Sequence, residues 1–141
     1  MAALTITAAN VRVVSQTTCP TVQAGEAITQ GQAVFRASNG KYYLTDADDT
    51  AEDQVSGIAM TPADADGDYF AICSTVGARI DIGATTAKGT TYHAGANTTP
   101  GSLSPAVDLG SGDAVLPTLV AEDTAGICSL ILHNPSTPII L

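Results

Sequence analysis

The stretch Phe35-Arg36-Ala37-Ser38-Asn39-Gly40-Lys41-Tyr42-Tyr43-Leu44 decides the fold class. Asn39-Gly40 accepts positive φ at both central positions of a type I′ turn, the turn whose twist matches that of paired strands. Outward from a two-residue loop, Ala37 faces Tyr42 and Phe35 faces Leu44. Those four share one face, and the other carries Arg36, Ser38, Lys41, Tyr43 and Thr45. Apolar against mostly polar is the division a half-buried antiparallel hairpin requires.

Short β-like runs continue on both sides of this hairpin, at residues 4–7, 11–14, 55–60, 69–73, 79–82, 115–120 and 127–133. Turn-formers separate them, among them Ala24-Gly25-Glu26, Asp66-Gly67, Gly110-Ser111-Gly112-Asp113 and Thr124-Ala125-Gly126. No window carries a 3.6-residue apolar stripe of helical length. Residues 46–54 are acidic and read as a solvated loop or one helical turn. Residues 97–105 read as a polar loop. The expected fold is all-β, a small barrel or sandwich.

The chain also matches itself at an offset of about 60 residues, the spacing of a small repeated β unit. Ile28-Thr29-Gln30-Gly31-Gln32-Ala33-Val34 has a counterpart in Thr86-Ala87-Lys88-Gly89-Thr90-Thr91-Tyr92, and Val55-Ser56-Gly57-Ile58-Ala59-Met60 in Val115-Leu116-Pro117-Thr118-Leu119-Val120. The expected organisation is an N-terminal strand or arm over 1–20, a single β domain with an internal repeat over 21–133, and an extended C-terminal tail over 134–141. In that tail two prolines precede the apolar end Ile139-Ile140-Leu141. An apolar end left in water is unusual, so it is expected to dock on its own domain or on a neighbouring subunit.

Composition narrows the function. With 141 residues the chain can bury roughly two-thirds of its unfolded surface and needs no metal or disulfide to fold. Aromatics are only 4% and Trp is absent, so the core is aliphatic and thin, and oligomerisation is one way to complete it. A formal net charge of -9, with five Lys and Arg, argues against nucleic acid and against an anionic membrane surface. Residues 1–7 lack the basic and long apolar regions of a signal peptide, and no stretch is long and apolar enough to span a bilayer.

No reaction centre emerges. Cys19, Cys73 and Cys128 are odd in number, widely spaced and without CxxC, so they read as small buried apolar residues in a reducing compartment. Asp64-Ala65-Asp66-Gly67-Asp68 superficially suggests a calcium loop, but its Gly is fourth rather than sixth and the twelfth residue is Thr75. It reads as a hairpin turn, and Asp46, Asp48, Asp49, Glu52 and Asp53 as a solvated acidic loop. His93 and His133 lack ligand spacing and read as surface or strand-end residues. There is no GxSxG, P-loop or GxGxxG. No catalytic residue, metal or cofactor is expected, and the protein is not expected to be an enzyme.

The pattern of residues 24–35, Ala24-Gly25-Glu26-Ala27-Ile28-Thr29-Gln30-Gly31-Gln32-Ala33-Val34-Phe35, is followed by Asn39-Gly40-Lys41-Tyr42-Tyr43-Leu44 and Val55-Ser56-Gly57-Ile58-Ala59. It continues in Ile80-Asp81-Ile82-Gly83-Ala84 and Gly89-Thr90-Thr91-Tyr92. Over most of the chain after residue 20 this resembles the capsid decoration or cement proteins of tailed bacteriophages. The resemblance implies a homotrimer on the virion exterior, bound to the major capsid protein and made in the cytoplasm of a bacterial host. It implies no catalytic residues. In that setting Leu4, Thr5, Ile6 and Thr7 are candidate capsid contacts, since apolar and polar alternate as in a strand that adds to a sheet edge. Ile139, Ile140 and Leu141 are candidate trimer contacts. The alternative is a carbohydrate- or receptor-binding β module of a head fibre, for which Tyr43 and Tyr92 are the candidate stacking aromatics.

Overall fold

A computed structural model describes residues 3–96, 99–133 and 139–141. The strands are β1 (Arg12–Val13), β2 (Thr21–Gln23), β3 (Ala33–Arg36), β4 (Tyr42–Leu44), β5 (Gly57–Ala59), β6 (Tyr69–Cys73), β7 (Arg79–Asp81), β8 (Thr91–Ala94), β9 (Leu103–Pro105), β10 (Pro117–Ala121) and β11 (Ile127–Leu130). They form two antiparallel sheets, ordered β1-β7-β11-β10-β8-β9 and β2-β6-β5-β3-β4. The arrangement is a sandwich rather than a closed barrel. Two short 3-10 turns, Ala8–Asn10 and Ala106–Asp108, are the helical elements of the described residues.

The internal repeat is a repeat of topology. The order β2-β6-β5-β3-β4 recurs as β7-β11-β10-β8-β9, with β1 added outside β7. Equivalent backbone bonds recur with it. Gly31 N–H donates to the Ala59 carbonyl and Gly89 N–H to that of Ala121, each at 2.8 Å. Ala24 N–H donates to Asp68 at 2.8 Å, and Ile82 N–H to Gly126 at 2.9 Å. Weak sequence similarity therefore preserves strand order, because glycines and alternating apolar residues are what the pairing needs.

One cluster of buried side chains draws on both sheets, including Ile58 and Cys73 from one and Ile80, Leu119 and Leu130 from the other. A second, with Val34, Phe70 and Ile72, lies within the five-stranded sheet, backed by Val22, Tyr42 and Leu44. The five-stranded sheet is thus buried on both faces. Successive residues Ala33, Val34 and Phe35 are all buried, which erases the expected alternation in β3. Backbone bonds also join the two repeats: Ala33 N–H to Gly101 at 3.0 Å, Gly101 N–H to Thr45 at 2.7 Å, and Ala114 N–H to Ala47 at 2.8 Å.

The hairpin exists, but its register differs from the expectation by one residue. Phe35 pairs with Tyr43, Val34 with Leu44 and Arg36 with Tyr42. Ala37 N–H donates to Lys41 at 2.8 Å, and Gly40 N–H to Ala37 at 3.0 Å, so the loop is Ser38-Asn39-Gly40. Gly40 has φ 83°, whereas Asn39 stays at negative φ. This is a type I turn closed by a left-handed glycine, the common three-residue hairpin. Asn39 contributes its side chain instead of its backbone, its Oδ1 accepting from Lys41 N–H at 2.9 Å. The slip exchanges faces. Tyr42 and Leu44 join Val34 over Phe70, with the Tyr42 and Phe70 rings edge-on at 6.3 Å, while Phe35 meets Tyr43 at 6.2 Å on the other side.

One further expectation is corrected. Within the stretch read as a polar loop, Leu103–Pro105 is an edge strand, where proline's missing N–H is harmless. Of the two readings of residues 46–54, the loop is the one present, as successive turns.

Candidate functional site

The extended segment before β1 lies in the seam between β7 and β9. Leu4 N–H donates to the Leu103 carbonyl and Thr7 N–H to that of Gly83, both at 2.8 Å. Leu4 and Ile6 pack half-buried against the main core, while Thr5 and Thr7 are exposed. The expected alternation is present, although the segment is not itself a ladder strand. In the first repeat the matching seam closes without help: the chain runs on from β2, Ala24 bridges Tyr42, and Gly25 N–H donates to the Tyr42 carbonyl at 2.9 Å. The arm thus supplies to the second repeat what β2's extension supplies to the first. Its outward side borders a shallow polar groove lined by Thr5, Thr7, Asn10, Arg12, Asp81 and Thr85. The Arg12–Asp81 ion pair beside it, 3.7 Å long with an exposed guanidinium, adds little stability.

The C-terminus docks through its backbone. Val115 N–H donates to Ile139 at 2.8 Å, Gly112 N–H to Leu141 at 2.6 Å, and Leu141 N–H to Asp113 at 3.0 Å, around an antiparallel bridge between Ala114 and Ile140. The side chains remain in water, with Ile139 67%, Ile140 50% and Leu141 52% exposed. Three consecutive apolar side chains are thus exposed on a backbone held by hydrogen bonds. The prolines of the tail lie outside the described residues.

The acidic loops spend their carboxylates on their own turns. Asp46 Oδ1 accepts from Asp48 N–H at 3.0 Å, Asp49 Oδ1 from Ala51 N–H at 2.9 Å, and Asp68 Oδ2 from Asp64 and Ala65 at 3.0 and 3.1 Å. Asp66 pairs with Lys41 at 2.8 Å. Among the described residues no three His, Cys, Asp or Glu side chains converge as a metal site would require. Burial, and then the neighbouring Asp49, Asp46 and Glu26, push the Glu52 carboxyl above its usual range.

The two histidines differ. His133 is exposed, but His93 is buried in the middle of β8, paired with Ser104 and Pro117, which corrects the surface assignment. Its Nδ1 finds no hydrogen-bond partner among the described residues. Burial lowers its pKa, partly offset by a backbone hydrogen bond at Ser104.

The aromatics are poorly placed for sugar stacking. Tyr92 is 4% exposed, and its hydroxyl accepts from Ala87 N–H at 3.0 Å. Tyr43 is half-buried, its ring lying so close over Gly25 that a Cβ there would overlap it. The freely exposed aromatic is Tyr69, at the start of β6. Phe70 and Ile72 already pointed to the opposite face of that strand, a signal for Tyr69 that the sequence contained.

No helix among the described residues is long and apolar enough to cross a membrane. Comparison with family models, with curated proteins and with solved structures finds no match.

Proposed function

We propose that this chain is a non-enzymatic structural virion protein, which binds the outside of a mature phage capsid as a homotrimer and stabilises the shell. The observation that carries the reading is the C-terminal trio Ile139, Ile140 and Leu141, fixed by backbone bonds with its side chains in solvent. A three-fold axis past these residues would cover them in all three copies and add the apolar burial that a core poor in aromatics lacks. The net charge of -9 keeps such a protein soluble and off DNA, which favours the exterior of a shell over its lumen. Capsid contact falls to the arm, through the exposed Thr5 and Thr7, because Leu4 and Ile6 are engaged with the arm's own domain.

A protein of this kind works by mass action. It binds the expanded lattice better than the unexpanded one and so stabilises the former. Many symmetry-related copies, each of modest affinity, add together. The carbohydrate-binding alternative loses support with the burial of Tyr92.

The test is to mix purified protein with expanded capsids and image them by electron microscopy. Added density at outer three-fold positions is expected, together with greater resistance to heat. Absence of density, or density on the inner wall, rejects the reading. Deleting residues 2–8 is expected to weaken capsid binding. Ile140→Asp is expected to dissociate the trimer, read by light scattering against a chain mass of 14.2 kDa.

A further inference from the structure

Cys19 and Cys73, far apart in sequence, lie just before the start of β2 and at the end of β6, neighbouring strands of the five-stranded sheet. Strand β2 pairs with β6 antiparallel, with Thr21 opposite Ala71, Val22 opposite Phe70 and Gln23 opposite Tyr69. The pairing continues beyond the end of β2, since Ile72 N–H donates to the Pro20 carbonyl at 3.0 Å. One step further in the same register places Cys19 opposite Cys73. Ala24 N–H donates to Asp68 at 2.8 Å, so the even-numbered residues of this segment occupy the hydrogen-bonded positions. Cys19 and Cys73 therefore form a non-hydrogen-bonded pair, the kind in which Cα atoms approach to about 4.5 Å and side chains lie closest. A disulfide spans Cα separations of roughly 4.4–6.8 Å. Both side chains turn toward the main core, Cys73 buried within it and Cys19 packed against it.

We propose that Cys19 and Cys73 are a thiol pair that closes reversibly to a cross-strand disulfide, stapling the start of β2 to the end of β6. Cys128 takes no part. It is buried in β11 in the other sheet, with its thiol directed at the Gly126 carbonyl at 3.5 Å. The inference is independent of the capsid reading.

The two thiols have unequal roles. Cys19 is half-exposed and meets an oxidant first; Cys73 is fully buried. Burial, followed by the adjacent Cys19 thiol, pushes Cys73 up to about 11, so it is protonated and unreactive toward solutes at neutral pH. With a low-molecular-weight disulfide as oxidant, the Cys19 thiolate attacks one sulfur, the reagent's S–S bond breaks, and one reagent thiolate leaves. Cys73 then gives its proton to solvent and attacks the Cys19 sulfur of the mixed disulfide, expelling the second reagent thiolate. Two protein thiols are oxidised to one disulfide and one reagent disulfide is reduced to two thiols. The closed loop contains all five strands of the first repeat, so the bond restricts the unfolded chain substantially.

The full-length protein is incubated under native conditions with oxidised glutathione and then examined by intact mass, peptide mapping and thermal melting. The expected product has lost two hydrogens, carries a Cys19–Cys73 linkage, melts roughly 5–15 °C higher and reverts with dithiothreitol. Cys19→Ser, at a half-exposed position where folding is retained, abolishes both the linkage and the shift. A persistent glutathione adduct on Cys19, an intermolecular bond, a linkage to Cys128, or an unchanged mass would each overturn the proposal. A linkage that leaves the melting temperature unchanged would overturn the stapling role.

Discussion

Thr7 donates its backbone N–H to the carbonyl of Gly83 at 2.8 Å, and Gly83 can accept it only because it lacks a side chain. A Cβ on Gly83 would lie 2.6 Å from the Thr7 carbonyl oxygen, and its φ of +71° is one that L-residues rarely adopt. This contact ties the N-terminal arm to the second repeat at the seam that the first repeat closes with its own strand.

Gly83→Ala is expected to destabilise by more than the roughly 1–3 kcal/mol of backbone strain alone and to free the arm. Gly89→Ala is the control, since Gly89 has φ +81° but open space around its Cβ position. Hydrogen exchange at Leu4 and Thr7 reads the difference. Faster exchange in the Gly83 variant only is expected; equal protection in both would mean the arm does not depend on this contact.

Gly40→Val tests the hairpin. A Cβ there meets only Arg36 Nη2, at 3.6 Å, so the cost is conformational rather than steric. The loss is expected to be about 1–3 kcal/mol by denaturant titration. Unchanged stability would show that position 40 does not require the left-handed conformation.

His93 gives the fold a pH dependence of defined sign. Burial holds its folded pKa below the unfolded value of 6.5. Above that value both states are neutral and the residue contributes nothing. As pH falls below 6.5 the unfolded chain takes up a proton that the folded chain resists. Stability therefore declines toward the folded pKa, by at most ~1.4 kcal/mol per pH unit, and levels off beneath it. Glu52 acts in the opposite sense, since its raised folded pKa relieves repulsion on acidification, but its window lies lower, just above the usual carboxylate range. Melting curves from pH 7 to 5 are expected to slope downward in the native protein and to flatten in His93→Gln. Equal slopes in the two would remove His93 from the account.

Chelation is expected to leave the melting temperature unchanged. The carboxylates of Asp46, Asp49 and Asp68 already accept backbone N–H bonds within their own turns, and Asp66 is engaged by Lys41. A fall of more than a few degrees on adding EDTA would reveal a metal among these loops.

By itself the sequence determined the β class, the two-unit repeat and the alternation of Leu4 and Ile6 with Thr5 and Thr7 in the arm. Glycine spacing and apolar alternation are local properties, written directly in the order of residues. Only the tertiary structure decided the hairpin register, because two- and three-residue loops are both available to Ser38-Asn39-Gly40. The choice followed from burying Tyr42 and Leu44 with Val34 over Phe70. The burial of His93 and Tyr92 had the same origin: β8 lies inside the six-stranded sheet, a position set by its partners β10 and β9. The opposition of Cys19 and Cys73 was invisible for a related reason. Strand pairing brings together residues from distant parts of the chain, and only the register of β2 on β6 states which ones meet.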